Sequence, residues 1–344
     1  MSEWPPQALP KPIDLRSIVN EILPYDHPKL KERIKGASHV LEYELGDQHL
    51  VFFGAKHTND PASPMLVQLQ AKLDQFLKTE TKERVVLMIE GMHGDEFNLE
   101  DCLKHIATHE DAVSRYGEKG LLLCAARDRG LTIKSPEAPE ESLVQEMLDR
   151  GFEREEIALF LVLRGFTSTI GRQMDPRSRS DSQEDWLMAC AREFYHIQEL
   201  TGVTWIRSIK SEKEISSLLQ DQPAFHEYIT RVVTEFMAGV NAEFKRLPGM
   251  KKKLLIPSMK ALLDRDQTQI PIKDVNAFFD PVDPRKTHSA INQISAAWNM
   301  SRDEYLVRQM ARVLDQKKSI FIVFGGSHAI AIEPALEKLM AAHV

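Results

Sequence analysis

Cysteine is scarce in this chain. Its 344 residues include only Cys102, Cys124 and Cys190, and none of them belongs to a Cys-x-x-Cys pair. A disulfide framework or a zinc site made of thiolates is therefore not expected. The simplest interpretation of this cysteine usage is a reducing, cytoplasmic location.

Long hydrophobic runs are also missing. The longest strongly apolar run is Ile157–Leu163, which is far shorter than the roughly 20 residues that span a bilayer. The first residues, Met1–Pro6, contain no basic segment leading into an apolar one, so no signal peptide is expected. We therefore expect no contact with a membrane.

Positive charge is not in excess. Lysine and arginine number 44 against 51 aspartates and glutamates, which gives a formal net charge of −7. Proteins that bind nucleic acids usually carry a basic surface, so a nucleic-acid partner is not expected. The composition, 42% hydrophobic and 28% charged, is that of a globular protein. The length predicts either two domains or one large domain with an insertion.

The order of apolar patterns predicts an α/β fold with a mainly parallel sheet. Short strand patterns alternate with helical ones at both ends of the chain, whereas the middle is helical throughout. A β-hairpin is expected over His39–Gly54, around the turn Gly46-Asp47. We predict an N-terminal arm, an α/β core in two segments and a helical insertion acting as a lid, with the boundaries 1–37, 38–135 with 284–344, and 136–283.

One motif occurs twice, each time directly after a buried strand pattern. Gly54 is followed by His57, and Gly325 is followed by His328. Glu90 ends a third strand pattern. Open α/β sheets bind ligands at the carboxyl ends of their parallel strands, so these three side chains are expected to converge if the strands are neighbours.

Two histidines and a carboxylate permit two kinds of chemistry. They can form a metal site of two histidines and one carboxylate with positions open for water and substrate. Alternatively, one histidine is a general base that the glutamate orients, acting on a water without a metal. Glu137, which follows the next strand pattern, adds a second carboxylate to the same crevice.

A helix is expected from Ser301 to about Leu314. Ser301 is predicted to be its N-cap, and Glu304 stands at the position of a capping box. Arg302 then lies at the start of this helix, where it is predicted either to neutralise a developing oxyanion or to anchor Glu90.

Together these motifs resemble the Tiki/TraB family within the erythromycin esterase/ChaN-like superfamily. The matching positions are Gly54 with His57, Glu90, Arg302-Asp303 with Met310, and Gly325 with His328. The resemblance covers about Val40–Lys134 and Ser301–Leu339. It implies a three-layer α/β/α core that is interrupted by a helical insertion, with both histidine motifs and the glutamate in one cleft.

The branches of this superfamily imply different functions. The Tiki branch implies a peptidase that uses a divalent ion of the manganese or cobalt type, held here by His57, Glu90 and His328. The erythromycin esterase branch implies an ester hydrolase with a histidine base and no obligatory metal. The ChaN branch implies a haem-binding protein that is not an enzyme.

We therefore predict a hydrolase acting on an amide or ester bond of a peptide or small molecule, preferably with a metal ion. The predicted catalytic residues are His57, Glu90, Arg302 and His328. A metal-independent esterase and a haem-binding protein are the alternatives.

Overall fold

The computed structural model describes most of the chain, namely residues 13–33, 38–91, 104, 106, 108–173, 193–207, 210, 214, 217–218, 221–246 and 280–343. The chain divides into two compact units. Unit 1 comprises Met1–Ala138 and Met300–Val344, and unit 2 comprises Pro139–Asn299.

Unit 1 is built on one five-stranded sheet. The strands are β1 (His39–Leu45), β2 (Gln48–Ala55), β3 (Val85–Ile89), β4 (Thr132–Lys134) and β5 (Ser319–Gly325). Their order across the sheet is β1-β2-β5-β3-β4. β1 and β2 form the expected antiparallel hairpin, and every other pairing is parallel. The predicted α/β fold with a mainly parallel sheet is therefore confirmed.

The helices are, in chain order, α1 (Leu15–Val19), α2 (Pro28–Arg33), α3 (Pro64–Thr79), α4 (His109–Tyr116), α5 (Lys119–Arg129), α6 (Glu140–Asp149), α7 (Arg154–Gln173), α8 (Gln222–Arg246), α9 (Ala290–Asp315) and α10 (Gly326–His343). Residues 193–201 are also helical, and Lys82–Arg84 form one turn of 3-10 helix before β3.

Helices cover both faces of the sheet. Leu50 and Phe52 of β2 belong to a core cluster with residues of α1, α9 and α10. Val51 and Phe53, which point the other way because side chains alternate along a strand, pack against α3, α4 and α5. A strand that is buried on both faces must be apolar at successive positions, which explains the continuous hydrophobic runs of β2, β3 and β5.

One helix differs from its predicted bounds. α9 begins at Ala290 and not at Ser301, so the capping prediction for Ser301 and Glu304 is wrong. Ser301 is buried in the helix interior, and the residues before it continue the helix, so the capping-box pattern occurs without a helix end. Elsewhere in unit 1, Gly117, whose φ is 62°, ends α4 and separates it from α5.

In its described part, unit 2 contains helices joined by loops and no strand. Phe194 stacks on Phe236 of α8 at 3.9 Å between ring centroids, and Phe160 of α7 packs against Trp298 at 5.4 Å. These aromatic contacts lie within one unit. They agree with the helical insertion that the sequence predicts.

No helix in the described ranges is both long and apolar enough to cross a membrane.

Candidate functional site

The carboxyl ends of three neighbouring strands meet in unit 1. β5 lies between β2 and β3, with Ala55 in register with Gly325, and the backbone N–H of Glu90 donates to the Val323 carbonyl at 3.2 Å. His57, Glu90 and His328 follow these strand ends. The expected convergence of the three side chains is therefore present in the geometry.

Gly325 marks the point around which they gather. A Cβ atom added there would lie 3.2 Å from Cδ2 of His328, 3.4 Å from Oε2 of Glu90 and 3.8 Å from Nε2 of His57. His328 itself is not in a loop, because α10 begins at Gly326 and places His328 in its first turn. The last glycine of β5 thus leaves open the space that the three polar side chains border.

His57 is held by a carboxylate that the sequence did not point to. Its Nδ1 lies 2.6 Å from Oε1 of Glu118, whose Oε2 also accepts the backbone N–H of Thr58 at 3.3 Å. Burial alone would raise the pKa of Glu118, but the hydrogen bond and charge of His57 lower it, so the carboxylate is ionised at neutral pH. An ionised carboxylate only accepts hydrogen bonds, so Nδ1 of His57 carries a proton. In the neutral ring, Nε2 then has a free lone pair.

The surroundings of His57 also favour its protonated form. The hydrogen bond to Glu118 raises the pKa of the imidazole, with a further contribution from the charge of Glu90. The nearby Lys119 ammonium and partial burial oppose this shift. The side chain of His57 remains 60% exposed, which leaves its Nε2 edge accessible to solutes.

Glu90 bridges the two sides of the site. Its Oε2 accepts the Gly325 N–H at 2.6 Å and lies 3.7 Å from Nε2 of His57, while its Oε1 accepts from Nη2 of Arg302 at 3.0 Å. Burial opposes ionisation, but the Arg302 guanidinium and then His57 lower the pKa of Glu90 to about 2. Glu90 therefore carries a negative charge beside Nε2 of His57.

Arg302 is occupied by carboxylates. Its Nε donates to Oε2 of Glu137 at 2.9 Å and its Nη2 donates to Oε1 of Glu137 at 2.7 Å, in addition to the bond to Glu90. Glu137 is fixed in turn by the N–H of Gly91 at 3.0 Å. Of the two predicted roles for Arg302, these contacts match the anchoring of Glu90.

His328 belongs to a buried triad. Its Nδ1 lies 2.6 Å from Oδ1 of Asp303 and 2.7 Å from the Tyr25 hydroxyl, which donates to Oδ2 of Asp303 at 2.8 Å. Burial, and then the charge of Asp303, raise the pKa of Tyr25 well above its usual range, so the hydroxyl keeps its proton. Because that proton goes to Asp303, Nδ1 of His328 must be a donor as well. Both imidazoles of the site therefore have a carboxylate behind Nδ1.

Sequence reasoning pointed to five of these residues and missed Glu118 and Tyr25. His57, Glu90, Arg302 and His328 lie together as predicted, and Glu137 joins them. Asp303 was noted only as part of a family motif. Glu118 and Tyr25 carry no local signal, since one lies at a break between two helices and the other in the predicted arm.

A metal ion does not fit this donor set as it stands. Both oxygens of Glu90 already accept hydrogen bonds, one of them from a guanidinium group. Over the part of the chain that the structure describes, no three side chains of the types His, Cys, Asp and Glu are grouped so as to hold an ion. A carboxylate that accepts a hydrogen bond from Nδ1 of each imidazole would also fix the ring of a metal-bound histidine, but it orients a general base equally well.

Comparison with known proteins gives no relative to set beside this site. No family model matches the chain, and neither curated proteins nor solved structures give a match. The chemistry of the site must therefore be argued from its own geometry.

Proposed function

We propose that this chain hydrolyses an ester or amide bond of a peptide or small molecule, with His57 as the general base that activates a water. The observation that carries this proposal is the pair of His57 and Glu118 at the carboxyl edge of the sheet. Nδ1 is held at 2.6 Å by an ionised carboxylate, and Nε2 is left with its lone pair on an exposed ring edge. The resemblance to the erythromycin esterase group supports the same reaction class.

The reaction uses the residues as follows. A water bound at Nε2 of His57 attacks the carbonyl carbon of the substrate, and the imidazole takes its proton as the new C–O bond forms. The carbonyl electron pair moves onto its oxygen and makes a tetrahedral oxyanion. When this intermediate collapses, the bond to the leaving alcohol or amine breaks and the leaving group takes up a proton from His57.

The carboxylates stabilise the charge that His57 acquires. Protonation of Nε2 creates an imidazolium between Glu118 on one side and Glu90, 3.7 Å from Nε2, on the other. Glu90 can take this role because Arg302 and the Gly325 N–H keep it ionised and in place. His328 borders the same space at Gly325 through its Cδ2 edge and is held in place there by Asp303 and Tyr25.

A metal-assisted reaction at the same histidines remains a second candidate. It is favoured by the Tiki/TraB resemblance and by the carboxylate behind each imidazole, which is the arrangement that fixes metal-bound histidines. It requires Glu90 to offer the ion a lone pair that its bonds to Arg302 and the Gly325 N–H leave over. Haem binding stays a prediction from the sequence alone.

Hydrolysis of chromogenic probes tests the proposal. We would assay p-nitrophenyl acyl esters and peptidyl p-nitroanilides with the wild type, His57→Ala and the control His109→Ala, which changes an exposed histidine paired with Asp128. Loss of a general base costs about 10²- to 10⁴-fold in rate, so His57→Ala is expected to lose kcat/KM by that range. Its urea midpoint is expected to fall, because the buried Glu118 loses the partner of its 2.6 Å hydrogen bond, so both proteins are assayed well below their unfolding transitions.

Two results would revise the proposal. If the wild type and His57→Ala were equally active or equally inactive on every probe, His57 would not be the base and the proposed function would be wrong. Elemental analysis of the same samples, purified without a metal-affinity tag, decides between the two candidates. A stoichiometric metal ion that His57→Ala loses would establish the metal-assisted reaction.

A further inference from the structure

Lys119 lies beside Gly91, the residue after Glu90, and no carboxylate in the described part of the chain forms an ion pair with it. Lys119 is the first residue of α5 and follows Glu118, the residue that holds His57. Its ammonium lies against Gly91, where an added Cβ would come within 2.5 Å of Nζ. Its positive charge lowers the pKa of both Glu90 and His57. Among the described residues it forms neither an ion pair nor a hydrogen bond.

The position of Lys119 does not stabilise its own helix. The N-terminus of a helix carries a partial positive charge, so a cation in the first turn is unfavourable, typically by about 0.3–1 kcal/mol at an exposed site. α5 therefore gains nothing from a lysine at this position. Among the described residues no carboxylate forms an ion pair with Lys119, and the acidic group that its charge favours is Glu90 of the site.

The proposed hydrolysis needs a positive group that Arg302 does not supply. The Nε hydrogen and both Nη2 hydrogens of Arg302 are donated to Glu137 and Glu90, and its guanidinium lies over the Phe324 ring at 5.3 Å from the centroid. Its charge is balanced by two ionised carboxylates in a buried setting. Three of its five N–H donors and its charge are thus committed to carboxylates, which makes Arg302 a poor partner for a new anion.

We infer that Lys119 is the residue that binds the oxyanion of the tetrahedral intermediate. An ammonium group has three donors on a flexible stem, and it stabilises developing negative charge without a change in its own ionisation. Gly91 permits this position, because a side chain there would occupy the space of the ammonium. This inference rests on the proposed hydrolase function.

The test compares Lys119→Gln with a lysine in matched surroundings. Lys82 also places its ammonium over a glycine of positive φ, with Nζ 2.7 Å from an added Cβ at Gly130, but it lies before β3 and thus at the opposite edge of the sheet. Loss of one oxyanion donor costs about 10²- to 10³-fold in kcat. We expect Lys119→Gln to lower kcat on p-nitrophenyl esters by about that factor, with KM within about threefold, while Lys82→Gln stays at the wild-type rate.

A second readout does not depend on turnover. The monomethyl ester of phenylphosphonic acid is a stable tetrahedral anion that mimics the intermediate, and its binding is measured by calorimetry. We expect wild-type protein and Lys82→Gln to bind it equally, and Lys119→Gln to bind at least tenfold more weakly. Lys119→Arg should regain part of both activity and binding, since it restores the charge.

The outcomes separate the inference from the proposed function. A Lys119→Gln variant with a near-wild-type kcat and unchanged phosphonate affinity would overturn the inference and leave the hydrolase proposal standing. A wild type that binds no phosphonate would also overturn it. If the wild type hydrolyses no probe but binds the phosphonate through Lys119, the assigned reaction is wrong and Lys119 is an anion-binding residue.

Discussion

At the scale of single residues, the two Gly-x-x-His motifs place their imidazoles in different surroundings. His57 is exposed and its Nδ1 donates to one carboxylate, that of Glu118. His328 is buried, and both Asp303 and Tyr25 lie at its Nδ1. An exposed imidazole can meet a substrate and exchange a proton with water. A buried one is better suited to a fixed role, which is why we assign the base to His57.

Glu118→Gln is expected to change the pH dependence of the reaction. Glu118 is the largest cause of the raised pKa of His57, so its removal lowers that pKa, with Glu90 still raising it and Lys119 still lowering it. His57 is a base only when deprotonated, so the acidic limb of the pH–rate profile should move to lower pH. The variant should also lose about 10²-fold or more in kcat/KM, because Nδ1 no longer faces an ionised acceptor.

The measurement is kcat/KM against pH for the wild type, Glu118→Gln and Glu110→Gln, a control on the exposed side of α4. The control should keep the wild-type profile. An acidic limb that moves upward in Glu118→Gln would contradict the assignment of His57 as the titrating base.

The sequence identified residues that follow apolar strands and missed those that do not. His57, Glu90 and His328 could be predicted because strand ends in a parallel sheet share an edge. Glu118 meets His57 only through the packing of α5 on the sheet, and Tyr25 meets His328 across 303 positions of chain. Patterns of charge and hydrophobicity extend over a few neighbouring residues, so they do not reveal a contact between residues this far apart in the chain.

At the scale of secondary structure, the two motif glycines, Gly54 and Gly325, have different roles. An added Cβ at Gly54 would lie 2.7 Å from Cβ of Ala329 and 2.7 Å from the His39 carbonyl, so this glycine lets α10 and β1 approach β2 closely. An added Cβ at Gly325 meets only the side chains of the site, at 3.2 Å or more. Gly54 therefore permits close packing of the elements around β2, and Gly325 keeps open the space between His57, Glu90 and His328.

Alanine at these two positions should therefore separate stability from activity. Gly54→Ala overpacks a buried contact with backbone on one side, so it is expected to lower the free energy of unfolding by about 1–3 kcal/mol. Gly325→Ala should stay within about 1 kcal/mol of wild type but lose most of its activity, because the methyl group fills the space beside Nε2 of His57. Urea unfolding and ester hydrolysis measure the two effects. Equal stability loss in both variants would contradict this division.

Element boundaries were harder to predict than the elements themselves. The hairpin, β3 and β5 follow from apolar runs between turns, and they lie where expected. The start of α9 was misplaced because Ser301 and Glu304 imitate a cap in the middle of a helix. Ser301 is buried inside a helix that continues on both sides, so there are no free backbone N–H groups for it to cap. Whether a helix continues past such a residue depends on tertiary packing, which a local sequence pattern does not contain.

At the scale of the whole molecule, the site is a buried set of charges that ties distant parts of unit 1 together. Arg302 of α9 joins Glu90 after β3 to Glu137 after β4, and Glu90 reaches β5 at Gly325. Buried ion pairs are costly to break, because the partner left behind keeps its charge without compensation. The network therefore contributes to folding as well as to chemistry.

Arg302→Met is expected to destabilise the protein by about 3–5 kcal/mol at neutral pH, since Glu90 and Glu137 lose their shared partner. In the wild type, the pKa values of both carboxyls are lowered, so their stabilisation is present above their usual pKa of 4.5 and is lost as the pH falls, toward about 2 for Glu90. The variant lacks this stabilisation. The difference in the free energy of unfolding between wild type and Arg302→Met should therefore become smaller as the pH falls below 4.5.

Urea unfolding at pH 7 and at pH 3.5 measures this change. Arg308→Met is the control, because Arg308 lies on the same helix in an exposed pair with Glu304 at 3.9 Å, and such pairs contribute about 0–1 kcal/mol. If the difference in the free energy of unfolding between wild type and Arg302→Met grew as the pH fell, Glu90 and Glu137 would not be the ionised partners of Arg302.

The position of β5 also has a consequence for how the chain folds during synthesis. β5 separates β2 from β3 in the sheet, yet it follows both of them in the chain by the whole of unit 2. On the ribosome, the inner edges of β2 and β3 emerge long before the strand that pairs with them. Until β5 arrives, these apolar edges can pair with each other or with another chain, and sheets that depend on such late contacts close slowly. The cleft at the carboxyl ends of these strands can therefore form only after β5 has been synthesised and has inserted between β2 and β3.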